Sequence, residues 1–134
     1  GITVLENESV KIGSRLNIAG ASDYYSRNSQ PDVNASLRGI DKSLPTIFMT
    51  HSPQLFPEIP PEVVLTVAGH THGGQVEVPL FGALFLPVPR EFYRYKYGLF
   101  NEDGRRIIVT KGTGTSLANV RFNCSPEVVL ITLR

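Results

Sequence analysis

The sequence has one cysteine, Cys124, so no disulfide can form within the chain, and with no His-Asp arrangement beside it the residue reads as a packed thiol, not a nucleophile. Neither sign of charge is in useful excess. The 13 basic and 12 acidic residues leave +1, which provides no field to gather nucleic acid or an acidic partner. No apolar run reaches the length that spans a bilayer, and no charged-then-apolar start marks a secretory signal in the residues given. The glycine-threonine loop Gly112-Thr113-Gly114-Thr115-Ser116 lacks the Gly-Lys-Ser/Thr ending of a P-loop, and no helical pattern follows it, so it is weak as a nucleotide motif. Recognition and chemistry are left to local groups.

What is present is a turn-rich globular composition. In 134 residues, 41% are hydrophobic and 12 glycines and 10 prolines punctuate the chain, enough for one domain with its own core. The stretch Ala68-Gly69-His70-Thr71-His72-Gly73-Gly74-Gln75 follows the apolar run Val63 to Val67 and sets two imidazoles one residue apart between glycines. In an extended backbone such side chains point to the same side, so His70 and His72 can face one pocket or two adjacent metal positions. The third histidine, His51, follows the strand-like run Thr46 to Thr50 and precedes Ser52-Pro53, which stops the strand. Binding groups in an open α/β sheet gather beyond the carboxyl ends of parallel strands, so strands ending in His51 and His70 should converge on one site. Neutral imidazole is a common ligand of zinc, iron, nickel and copper. A lone histidine at a loop end reads as a hydrogen-bonding group; three in the same context read as ligands. Asp23 lies at another strand end, where it either faces the site or caps a turn.

In chain order, Ile2 to Leu5, Ser9 to Ile12 and Arg15 to Gly20 suggest a small antiparallel meander. Asp32 caps an expected helix through Val33, Leu37 and Ile40. A strand to Thr50, one or two helical turns from Pro53 to Pro57 and a strand to Val67 then make parallel crossovers. Leu80 to Val88, bracketed by prolines, is either a hairpin folded on the core or an apolar lip that admits acyl chains or touches a bilayer surface. Arg90 to Tyr97 alternates basic and aromatic residues, the pattern of an edge strand, though it could also stack nucleobases or sit at a membrane interface. Asp103-Gly104 turns a hairpin from Tyr97 to Thr110, and Val128 to Leu133 reads as a final strand. Arg121 and Asn123 are candidates for holding a substrate phosphate or sugar, or form a surface turn.

Three segments together resemble calcineurin-like metallophosphoesterases: Gly69-His70-Thr71-His72-Gly73-Gly74-Gln75, Thr50-His51-Ser52-Pro53, and Gly112-Thr113-Gly114-Thr115-Ser116 through Arg121-Phe122-Asn123-Cys124-Ser125-Pro126-Glu127. Within that superfamily the chain is most similar to a bacterial envelope-associated branch, some members of which cleave the pyrophosphate of UDP-diacylglucosamine. The resemblance covers the whole chain, residues 1–134, but only the second half of such an enzyme. The Asp-x-His, Gly-Asp-x-x-Asp and Gly-Asn-His-Asp/Glu motifs of the first half do not occur here. The resemblance implies an α/β fold: the C-terminal half of a two-sheet sandwich, with a mixed sheet and few helices. It also implies a metal-dependent phosphoester or pyrophosphate hydrolase with two divalent ions, manganese, iron or zinc. His51 and His70 would bind one ion and His72 the other, with a bridging Asp and an Asn ligand supplied from outside these residues. The substrate would be a phosphorylated small molecule or a lipid-linked one, and the location peripheral to a bacterial membrane. The isolated chain would be incomplete, inactive and prone to self-association through an uncovered sheet. The competing readings are a non-catalytic fragment or membrane- or glycan-binding module, and a mononuclear three-His zinc hydrolase supported only by its ligand count.

Overall fold

A computed structural model describes residues 1–116 and 118–133. Eight strands and one short α-helix run in the order β1 (Glu8–Ile12), β2 (Leu16–Gly20), α1 (Val33–Ser36), β3 (Thr46–Met49), β4 (Leu65–Ala68), β5 (Glu77–Val78), β6 (Gly82–Ala83), β7 (Gly98–Glu102) and β8 (Arg105–Val109). Six of them form one mixed sheet in the order β1-β2-β3-β4-β8-β7, while β5 and β6 pair as a separate two-stranded ribbon. Strands β2, β3, β4 and β8 are parallel. The antiparallel strands β1 and β7 flank them and are joined by tight turns. The fold is the expected α/β half-domain with a mixed sheet and few helices.

The parallel strands are short β-branched or apolar runs stopped by glycine or proline, and the chain between them crosses one face of the sheet. That face carries Ala19 and Phe48 against Val33, Leu55, Ile59 and Val63, and Ala68, Ile107 and Val109 against Phe56 and Tyr95. Phe48 and Ile107 are fully buried. On the opposite face, strand alternation and register align Val10, Ile18, Ile47 and Leu65 in one row and Met49, Val67, Ile108 and Leu99 in the next. Met49 and Leu99 are about half exposed. The second face is therefore apolar too, and Glu127, Val128, Val129 and Ile131 of the C-terminal segment share a cleft with Val67 and Ile108.

Four local readings are corrected. Ile2 to Leu5 is not a strand: Asn7 takes a left-handed backbone (φ 60°) and its side chain bonds Ser29, Gln30, Ser22 and Asp32, so the meander shrinks to the β1–β2 hairpin. The helix is capped by Asp32, which accepts from the Ala35 N–H at 2.8 Å, but it ends at Ser36 ahead of Gly39 (φ +77°) and leaves Ile40 outside. Arg90–Tyr95 is a 3-10 helix, not an edge strand. Phe92 and Tyr95, three residues apart, superimpose on one side of a 3-10 turn, where Tyr95 stacks edge-on against Phe56 and Phe100. Val128 to Leu133 has no ladder partner among the described residues and forms no strand. The Asp103-Gly104 hairpin is as expected, with both residues at positive φ.

Candidate functional site

The parallel strands β2, β3, β4 and β8 end on one edge of the sheet, and the chain just beyond them carries Asp23, His51, His70 and Gly112 respectively. Backbone pairing continues past the strands. Ala21 N–H donates to Met49 O, Thr50 N–H to Val67 O, Gly69 N–H to His51 O and Thr110 N–H to Ala68 O, at 2.9 to 3.1 Å. These bonds carry the order of the sheet into the loops that hold the candidate residues.

The His51 and His70 rings lie 4.5 Å apart between centroids, tilted by 60°. The Asp23 carboxylate stands 4.0 Å from His51 Nε2, and the Tyr25 ring lies 5.5 Å from that of His70. Asp23 thus faces the site, and Tyr25, which no local pattern singled out, forms part of its wall. The 70–75 loop is not extended. His70 (φ 69°), His72 (φ 51°) and Gln75 (φ 53°) are all left-handed, a conformation that costs non-glycine residues of order 1 kcal/mol and persists only where the surroundings enforce it. The premise that His70 and His72 share one side of an extended chain therefore fails. His70 turns toward His51, and His72 turns toward Gly114.

Two carbonyls fix the protonation pattern. His70 Nε2 lies 2.8 Å from Pro87 O and His72 Nδ1 lies 3.2 Å from Gly114 O. A carbonyl can only accept, so these nitrogens carry the protons and the lone pairs fall on His70 Nδ1 and His72 Nε2. Burial holds the His70 pKa below the ordinary imidazole value; the Pro87 carbonyl opposes this and the neighbouring His51 reinforces it. His70 is neutral near pH 7, the form able to bind a metal.

The loop is enforced from the C-terminal segment. The Arg121 guanidinium donates to the carbonyls of His72, Lys111, Gly112, Gly114 and Cys124. All three of its nitrogens are engaged with backbone, and the side chain serves as a clamp. Asn123 beside it is exposed and left-handed (φ 51°). Cys124 is a buried free thiol packed against the carbonyls of His72 and Gly73. A Cβ at Gly73 (φ +64°) would fall 2.4 Å from Lys111 Cγ and 2.9 Å from Cys124 Sγ, so only glycine fits there.

Strand ends that bring imidazoles and a carboxylate to one crevice have the arrangement in which open α/β sheets place their binding groups. Sequence comparison points the same way: the chain is similar to the C-terminal half of bacterial proteins named as metallophosphoesterases or phosphodiesterases. It is 35% identical over 139 residues to phosphodiesterase YaeI of Escherichia coli, covering 99% of this chain and 48% of that protein. It is 30% identical to the uncharacterized metallophosphoesterase YkuE of Bacillus subtilis, with 100% and 47% covered. It is 27% identical to the UDP-2,3-diacylglucosamine pyrophosphatase LpxG of Chlamydia muridarum, with 96% and 40% covered. The chain thus spans about half the length of the curated relatives it matches. No protein-family model and no solved structure matches it.

Proposed function

We propose that this chain supplies the histidine part of a two-metal centre in a hydrolase of phosphoesters or pyrophosphates. The observation that carries the proposal is the pair of imidazoles at the ends of β3 and β4, together with the carbonyls of Pro87 and Gly114 that hold His70 and His72 in defined tautomers.

The donor set fits in part. Neutral imidazoles beside a carboxylate suit manganese, iron or zinc. Among the described residues, however, no group of three or more His, Cys, Asp or Glu side chains stands close enough to enclose an ion. The remaining ligands must come from outside these residues, in keeping with a chain that spans half of its relatives. On this reading His51 and His70 hold one divalent ion and His72 the other, with Asp23 as orienting partner of His51. When bound, the ions would supply an activated water and a clamp on the phosphoryl oxygens. The chain itself fixes the direction of two lone pairs, keeps His70 neutral and anchors the loop by Arg121. Its substrate is a phosphodiester or pyrophosphate, by analogy with the relatives named a phosphodiesterase and a pyrophosphatase.

The test is a chimaera in which this chain replaces the C-terminal half of phosphodiesterase YaeI. Manganese-dependent hydrolysis of bis(p-nitrophenyl) phosphate is expected, with a loss of at least about a hundredfold in the His70→Ala variant. A folded, metal-loaded chimaera without activity would overturn the proposal. The chain alone should bind zinc or manganese weakly by calorimetry, because its three imidazoles leave each ion short of ligands.

A further inference from the structure

A cleft of about 170 Å³ opens beside His72, between the β5–β6 ribbon and the segment after Gly114. Its size is close to that of a cavity of about 150 Å³ that holds benzene. The apolar walls are Val76, Leu84, Phe85, Pro87, Ala118 and Val120.

Of the polar side chains that line the cleft, Gln75 and Thr71 have their polar atoms committed elsewhere, and His72 keeps only Nε2 free. The Gln75 carboxamide accepts from Ser116 N–H at 2.8 Å and donates to the carbonyls of Ser116 and Ala118. The Thr71 hydroxyl donates to Lys96 O, and His72 Nδ1 is held by Gly114 O. Apart from that one nitrogen, water entering the cleft meets hydrocarbon and satisfied amides, and gains little by staying. The same wall is joined to the histidines, since Pro87 contributes both its ring and the carbonyl that holds His70. Beyond the cleft the ribbon projects Leu80 and Phe81 almost fully into solvent, at 103% and 84% exposure.

We infer that this cleft is a subsite for an apolar substituent carried on the phosphate of the substrate, either an alkyl or acyl chain or an aryl ring. The inference rests on the phosphohydrolase reading for the phosphate but not for the cleft. An apolar group seated between Val76, Leu84 and Val120 would leave its phosphate at the mouth beside His72.

The test is titration of the chain, followed by 1H–15N spectra, with inorganic phosphate, hexyl phosphate, phenyl phosphate and hexanol. Each fully buried methylene is worth about a factor of four in affinity, so three of them make about sixty-fold. Hexyl phosphate is expected to bind about that much more tightly than inorganic phosphate, shifting the amides of Gln75, Val76 and Ser116. Leu84→Asp, at an exposed position that should not disturb folding, is expected to lower hexyl phosphate affinity at least about tenfold and leave inorganic phosphate unchanged. Val120→Asp, from the C-terminal segment, should do the same. Tighter binding of phenyl phosphate than of hexyl phosphate would identify a planar group as the occupant, and the reverse a chain. Hexyl phosphate binding no tighter than inorganic phosphate, or binding indifferent to both variants, overturns the subsite and leaves the phosphohydrolase reading standing. Hexanol binding as tightly as hexyl phosphate, and lost in both variants, upholds the subsite and counts against the phosphohydrolase reading.

Discussion

Replacing Arg121 by alanine removes donors from five backbone carbonyls at once, those of His72, Lys111, Gly112, Gly114 and Cys124. A hydrogen bond contributes a net ~0.5–1.5 kcal/mol, more when one partner is charged. The Gly114 carbonyl lies where water can replace the guanidinium, and the contribution there falls toward zero. The bonds to the carbonyls of His72, Lys111, Gly112 and Cys124 are partly buried and lose most. The sum is a destabilisation of about 2–3 kcal/mol, which at an m value of about 2 kcal/mol/M in urea moves the midpoint down by about 1–1.5 M. Arg121→Lys should recover less than half of this, because an ammonium presents its donors from a point and cannot span carbonyls on both sides of a planar fork. The assay is urea unfolding with the His72 imidazole shifts followed in parallel. An Arg121→Ala midpoint within about 0.2 M of the parent, with unchanged His72 shifts, would refute the clamp and return Arg121 to the role of a free phosphate-binding group.

Phe48→Ala opens a void in the fully buried layer between Ala19 and Leu55, and should cost about 3–5 kcal/mol by urea unfolding; a cost below about 1 kcal/mol would mean that this layer is not the core. Glu127 is held below the ordinary glutamate range: burial pushes it up, but hydrogen bonds from the Lys111 amide and side chain outweigh that. A lowered folded-state value stabilises fully above the unfolded pKa of about 4.3 and is lost as pH falls through the folded one. Exchange of the Glu127 amide, which donates to Gly112 O, should accelerate on acidification beyond the intrinsic trend, and Glu127→Gln should remove that dependence. The apolar second face of the sheet should make the isolated chain associate at micromolar concentration in sedimentation. Met49→Lys, at an exposed position on that face, should shift it toward monomer, and an unchanged distribution would place the contact elsewhere.

The sheet was legible where strands are apolar on both faces or joined by a turn of unmistakable chemistry. Thr46 to Met49, Leu65 to Ala68 and the Asp103-Gly104 hairpin were all placed from short apolar runs and their punctuation. Periods failed where two fit the same residues. Tyr93, Tyr95 and Tyr97 satisfy a strand's alternation, yet Phe92 and Tyr95 share the spacing of three of the 3-10 turn that forms. Val128 to Leu133 shows a different limit, since β propensity states what a segment can do and a ladder needs a partner that the segment does not encode. At the site, convergence of His51 and His70 followed from strand polarity alone. The part of Tyr25, the left-handed turn at His70 and the tautomer-setting carbonyls of Pro87 and Gly114 depend on contacts across 17 or more positions, which no local pattern carries.

The bond from Gly69 N–H to His51 O, 3.0 Å long, lies between the two loops that bear the imidazole pair. Its amide cannot exchange with solvent until the His51 and His70 loops part, so one backbone proton keeps time for both histidines. Comparing its exchange rate with that of Thr50, which is bonded to Val67 O one step deeper in the sheet, separates local parting of the loops from unfolding of the whole strand pair. The difference between the two rates measures how far the imidazole pair is preorganised before any ion or substrate arrives.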